Sequence, residues 1–116
     1  MSNIEINLDF SDFSLQATLL DNAIATKLAE ILPVTVVLQQ WGDEVYGSIG
    51  KDLGEANPVP QIPPGGIAYT NNGDYLCIFF GQTPAWPVEY IGQIKDDSWK
   101  RLLEQPAFNS VTVSAR

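Results

Sequence analysis

The sequence predicts a mainly β domain: a closed eight-stranded barrel with two helices capping its ends. Three observations predict it. Short segments with period-2 alternation or dense β-branched and aromatic residues recur along the chain, bounded by Gly, Asn, Asp and Pro. Helical spacing occurs only twice, after the second and after the seventh strand. One strand, 75–80, is apolar on both faces, which places cover on both of its sides. Eight strands are enough to close a barrel that its own side chains fill.

The elements follow in order. Ile4, Ile6 and Leu8 alternate with Glu5 and Asn7, and the phase extends to Asn3. Phe13, Leu15, Ala17 and Leu19 alternate with Ser14, Gln16 and Thr18, so these two strands form a hairpin across the 9–12 turn. Asp21 is read as an N-cap, and Ile24, Leu28, Ile31 and Leu32 form one helical face over 22–32. Pro33 ends that helix because the residue before a proline avoids helical backbone. A β-branched strand over 34–41 turns at Gly42-Asp43 and returns over 44–49, with Glu44, Tyr46 and Ser48 on one face.

The stretch 51–65, rich in Gly and Pro, is too long for a simple connection and reads as a lobe folded over one sheet face. The runs 67–69 and 75–80 flank Asn71-Asn72-Gly73-Asp74, a hairpin tip built from residues that accept positive φ. Gln82-Thr83-Pro84-Ala85-Trp86-Pro87 is a stiff crossing to a short strand over 89–94. Asp96 and Asp97 start a second helix with Trp99, Leu102 and Leu103 on its apolar stripe, stopped before Pro106. Val111, Val113 and Ala115 alternate in the last strand.

At 116 residues the chain reads as one domain with one real core, 1–116. The net charge of −8, from 14 acidic and 6 basic residues, leaves too few cations to neutralise phosphates. Nucleic acid and anionic membranes are therefore not expected partners. No membrane-length apolar run and no signal-peptide pattern is visible, so a cytoplasmic location is expected. A single cysteine, Cys77, excludes an internal disulfide, and the absence of histidine excludes His-based triads and imidazole zinc sites. No cofactor or metal is implied.

The candidate site residues are polar or aromatic. Glu44 and Tyr46 share a strand face and suit a polar pocket, although a carboxylate beside a turn is more simply a solvated one. Glu55, in the long lobe, offers a polar contact to a ligand, against the simpler reading of a turn residue bonding its own backbone. Tyr69 and Trp86 are ordinary barrel-packing residues that also suit stacking on a ligand or a proline ring. Cys77, mid-strand with no basic neighbour in sequence, reads as an inert buried thiol.

The element order is that of cyclophilins. More closely, Gly42-Asp43-Glu44-Val45-Tyr46-Gly47, Asn57-Pro58, Gly65-Gly66-Ile67-Ala68-Tyr69 and Leu76-Cys77-Ile78-Phe79-Phe80-Gly81-Gln82-Thr83-Pro84 resemble a family of small prokaryotic cyclophilin-like proteins of unsettled function. The resemblance covers nearly the whole chain. Cyclophilins proper isomerise X-Pro bonds with a third-strand arginine, a Gln-Phe-Phe run and a histidine before the seventh strand. Here the third strand carries Gln39 and Gln40, Ile78-Phe79-Phe80 replaces the run, and Val88 stands near the histidine's place.

Phe79 and Phe80 point to opposite faces. The packing reading puts one in the barrel core and the other under a helix or lobe, and the functional reading lets one line a surface groove; packing comes first for Phe79, while for Phe80 the two weigh equally, and the resemblance makes it a candidate. The expectation is a peptide- or small-molecule-binding module without the prolyl isomerase machinery. The alternatives are a weak prolyl isomerase and an enzyme using Glu44 or Glu55 with Tyr46 or Tyr69.

Overall fold

The computed structural model describes residues 4–104 and 109–116; the stop read at Pro106 and the alternation at Asn3 lie outside them. The strands are β1 (Ile4–Asp9), β2 (Ser14–Leu19), β3 (Val34–Val37), β4 (Gln39–Gln40), β5 (Glu44–Ser48), β6 (Gly66–Thr70), β7 (Tyr75–Phe79), β8 (Glu89–Ile94) and β9 (Ser110–Ala115). They form one sheet in the order β3-β9-β1-β2-β8-β6-β7-β5-β4, with antiparallel pairing throughout.

The two strands at the ends of that order, β3 and β4, are separated in the chain only by Leu38. The predicted 34–41 strand is therefore one bent strand. Its first half pairs with β9 and its second half with β5, which brings the two sheet edges together into a nearly closed barrel. The bend accounts for nine strands where eight are expected. At the seam, a Cβ on Gly47 would lie 2.0 Å from the Val37 carbonyl oxygen, so only glycine lets the edges approach this closely.

Binary patterning explains the interior. Ile6, Leu8, Ala17 and Leu19 are fully buried, and the opposite faces of β1 and β2 are more exposed. The β6–β7 hairpin forms as predicted, with Thr70 opposite Tyr75 and positive φ at Gly73 and Asp74 in the turn. β7 is buried on both faces, because the barrel interior lies on one side and the 51–65 lobe and 81–88 loop lie on the other.

The helix α1 (Ala23–Ile31) is capped by Asn22, not by Asp21. The Asn22 Oδ1 accepts from the Ala25 amide at 3.0 Å, which sets the first turn one residue later than the sequence suggested. Ile24 and Leu28 of α1 join the interior cluster, as do Leu53 from the lobe and Leu102 from the second helix. That second helix, Ser98–Glu104, is a 3₁₀ helix.

Candidate functional site

Strand alternation builds the site on the outer face of the wall. Glu44 and Tyr46 project outward from β5, while Val45 and Gly47 face the interior. On β7 the outward residues are Tyr75, Cys77 and Phe79, and the inward ones are Leu76 and Ile78. Register then sets the rows across β5, β7 and β6: Tyr46–Cys77–Ala68 and Glu44–Phe79–Gly66. Gly66 ends its row with no side chain, and Ile62 from the lobe occupies that space, its Cγ2 2.2 Å from where a Cβ would be.

The 81–88 loop forms the opposite wall. It leaves β7 through Gly81, whose φ of +145° few other residues adopt. The Trp86 Nε1 donates to the Thr70 Oγ1 at 3.1 Å, which pins the loop above β6. The loop ends in a bridge between Val88 and Val59 of the lobe. Trp41, just after β4, supplies a further wall, with its amide donating to the Glu44 carbonyl at 2.9 Å.

These elements enclose a cleft of about 370 Å³ lined by Trp41, Glu44, Tyr46, Thr70, Tyr75, Cys77, Phe79, Pro84, Ala85, Trp86 and Val88. Phe79 and Val88 belong to a second apolar cluster separate from the barrel interior. Tyr46 and Tyr75 meet edge to face at 5.2 Å, and the Tyr46 hydroxyl donates to the Gln39 Oε1 at 3.1 Å. Trp41 and Trp86 are nearly half exposed, whereas Glu44 is only 6% exposed.

Electrostatically the cleft is one-signed. Burial pushes the Glu44 carboxyl up from 4.5 to about 7; the hydrogen bond with the Cys77 thiol acts in the opposite sense but more weakly. Burial, and then the Glu44 charge, raise the Cys77 thiol well above its ordinary range, so it is a poor nucleophile. No basic residue lines the cleft. Five of the six Lys and Arg residues are engaged elsewhere: Lys95 and Arg116 with Glu5, Lys100 with Asp97, Arg101 over the Phe13 ring, and Lys27 on the Leu53 carbonyl; the sixth, Lys51, is exposed on the lobe and does not line the cleft.

The structure brings together three of the residues singled out from sequence, Glu44, Tyr46 and Trp86. The other three lie elsewhere. Tyr69 is inside the barrel, where its hydroxyl accepts from the Leu53 amide at 2.8 Å and bonds the Asp74 carboxylate at 3.0 Å. Burial pushes that phenol up to about 12. Phe80 packs in the barrel interior; Phe79 is buried with Ile62 of the lobe and Val88, and its outer edge lines the cleft, so the groove reading held open for Phe80 falls to Phe79 instead. The register, with Phe79 opposite Glu44, fixes that choice. Glu55 is exposed on the lobe and does not line the cleft.

Sequence reasoning missed Trp41, Thr70 and Tyr75 as wall residues. Trp41 had one signal, its position beside the Gly42-Asp43 turn.

A cyclophilin-like family matches residues 4–114, and the chain belongs to it. Among solved structures, the hypothetical protein AF2241 from Archaeoglobus fulgidus is similar over 98% of this chain and 95% of its own, with a TM-score of 0.78 and 23% identity. McbB, solved in complex with tryptophan, is similar over 94% of this chain with a TM-score of 0.74 and 17% identity. This chain spans 44% of McbB. At these identities both show the shared fold. No curated protein matches the sequence.

Proposed function

We propose that the protein is a binding module whose outer-face cleft accepts a small molecule or a single side chain of a peptide. The observation behind this reading is the cleft itself: about 370 Å³, walled by aromatic residues around one buried carboxyl group. Small-ligand sites are typically apolar clefts of roughly 300–1,000 Å³ with few polar groups, so the volume suits a ligand of modest size. The tryptophan complex of McbB adds support, since a protein of similar fold holds an aromatic amino acid.

Titration with amino acids, small metabolites and proline-containing peptides tests this reading. Trp41 and Trp86 report through their fluorescence, with a Trp99→Phe background to remove the third indole. Saturable quenching by a member of at least one of the three sets is expected. Silence across all sets refutes the reading.

Prolyl isomerisation is the second reading, favoured by the apolar floor of Phe79, Val88 and Pro84. It would work by desolvating the X-Pro amide, because no cation is at hand to polarise it. In a protease-coupled assay, a rate above buffer that Phe79→Ala abolishes supports it, and a rate equal to buffer removes it.

A further inference from the structure

Glu44 is a carboxyl group with 6% exposure in an aromatic cleft, and among the described residues no cation pairs with it. Burying an anion without a counter-charge is costly, and the fold supplies none here. The titratable groups that face it are the Cys77 thiol and the Tyr46 and Tyr75 phenols, with Asp43 beside it in the chain; none carries positive charge. Of the other lining polar groups, the Thr70 hydroxyl accepts from Trp86 and the Tyr46 hydroxyl donates to Gln39. A ligand entering this cleft meets a carboxyl group that is bonded by a neutral thiol and has no counter-charge, together with several aromatic faces. Aromatic rings attract cations through their negative faces, Trp most strongly.

We infer that the cleft takes a small organic cation: an ammonium group set on Glu44, carried by an apolar or aromatic body that packs against Trp41, Trp86 and Phe79. This rests on the binding-module reading and narrows its ligand to one charge class. An ammonium supplies the counter-charge Glu44 lacks, and its carbon body fills the apolar remainder of the cleft. A carboxylate or phosphate ligand would instead face Glu44 with like charge. Because the ligand pairs with the ionised carboxylate, cation binding and Glu44 ionisation favour each other by linkage.

The test uses four probes of one size: benzylamine, benzyltrimethylammonium, benzyl alcohol and benzoate. Each is titrated into the wild-type chain and Glu44→Gln by calorimetry and Trp fluorescence at pH 6, 7 and 8. In the wild type the two cations are expected to bind at least about tenfold more tightly than benzyl alcohol at pH 8, with benzoate weakest. Cation affinity is expected to rise about tenfold from pH 6 to pH 8 as Glu44 ionises. Glu44→Gln is expected to remove the cation preference and its pH dependence while benzyl alcohol binding persists. A second measurement needs no variant: the carboxyl carbon-13 resonance of Glu44 should titrate at lower pH when the protein is saturated with benzyltrimethylammonium.

If benzyl alcohol binds as tightly as the cations, the ligand class is refuted and the binding-module reading stands. The class is equally refuted if the Glu44 titration does not move at saturation. If all four probes leave both Trp fluorescence and the Glu44 resonance unchanged, the ligand class is refuted, and the binding-module reading falls with it only if the amino acid, metabolite and peptide titrations are silent too.

Discussion

Phe79 and Phe80 are adjacent in the chain and stand on opposite sides of the barrel wall: Phe79 under the cleft opposite Glu44, Phe80 in the interior. Their substitutions should therefore separate. Phe80→Ala opens a cavity in the main core and should cost about 3–5 kcal/mol of stability. Phe79→Leu keeps most of the buried volume and should cost about 1 kcal/mol, yet alter the affinity of any cleft ligand. Chemical denaturation alongside probe titration checks both. Equal effects of the two variants on binding would contradict the assignment of faces.

The Glu44 carboxyl makes stability depend on pH in a defined direction. Its folded pKa of about 7 lies above its ordinary 4.5, so the folded protein binds more protons between those values. Its contribution is therefore most favourable at low pH, declines as pH rises from 4.5 to 7, and is level above that. Glu44→Gln removes the penalty. The variant should be more stable than wild type by about 1–3 kcal/mol at pH 8, and nearly equal to it below pH 5. Thermal melts of the pair across that range measure the difference.

Glu89 fastens the long lobe. It is 5% exposed, and its carboxylate accepts from the Ala56 amide at 2.8 Å and the Asn57 amide at 3.0 Å. Glu89→Ala leaves both amides without that acceptor and should cost about 2–3 kcal/mol. Hydrogen exchange should show lost protection at Ala56 and Asn57 first. Glu89→Gln keeps one carbonyl acceptor and should lose less.

The seam of the barrel makes the fourth prediction. Gly47→Ala forces a Cβ against the Val37 carbonyl, which belongs to the backbone and has no rotamer to escape into. The expected loss is about 3 kcal/mol or more. Gly50→Ala is the control: it meets open space but has φ +73°, so only the left-handed backbone penalty of about 1–2 kcal/mol applies. Denaturant midpoints of the two variants distinguish contact from conformation.

Much of the fold was legible in the sequence, and the reasons are local. The period-2 alternation of Ile6 and Leu8 with Asn7, the Asn71-Asn72-Gly73-Asp74 tip and the helical spacing of Ile24 and Leu28 each state a backbone conformation and a buried face. The bend at Leu38 was not legible, because both halves of 34–40 have strand composition and only their two different partners, β9 and β5, divide them. The site was legible where one face is polar. Glu44 and Tyr46 fall together on β5 by alternation alone.

By itself, then, the sequence determined the barrel, its hairpins and the outward pair Glu44 and Tyr46, because side-chain period is a property of consecutive residues. Only the tertiary structure decided which side of β7 is the inside, since a strand apolar on both faces has no phase to read. It also decided that Tyr69 bonds the lobe from within while Trp41 and Trp86, 45 positions apart in number, line one cleft. Those placements depend on register and on loop closure across distant segments, which no local pattern encodes.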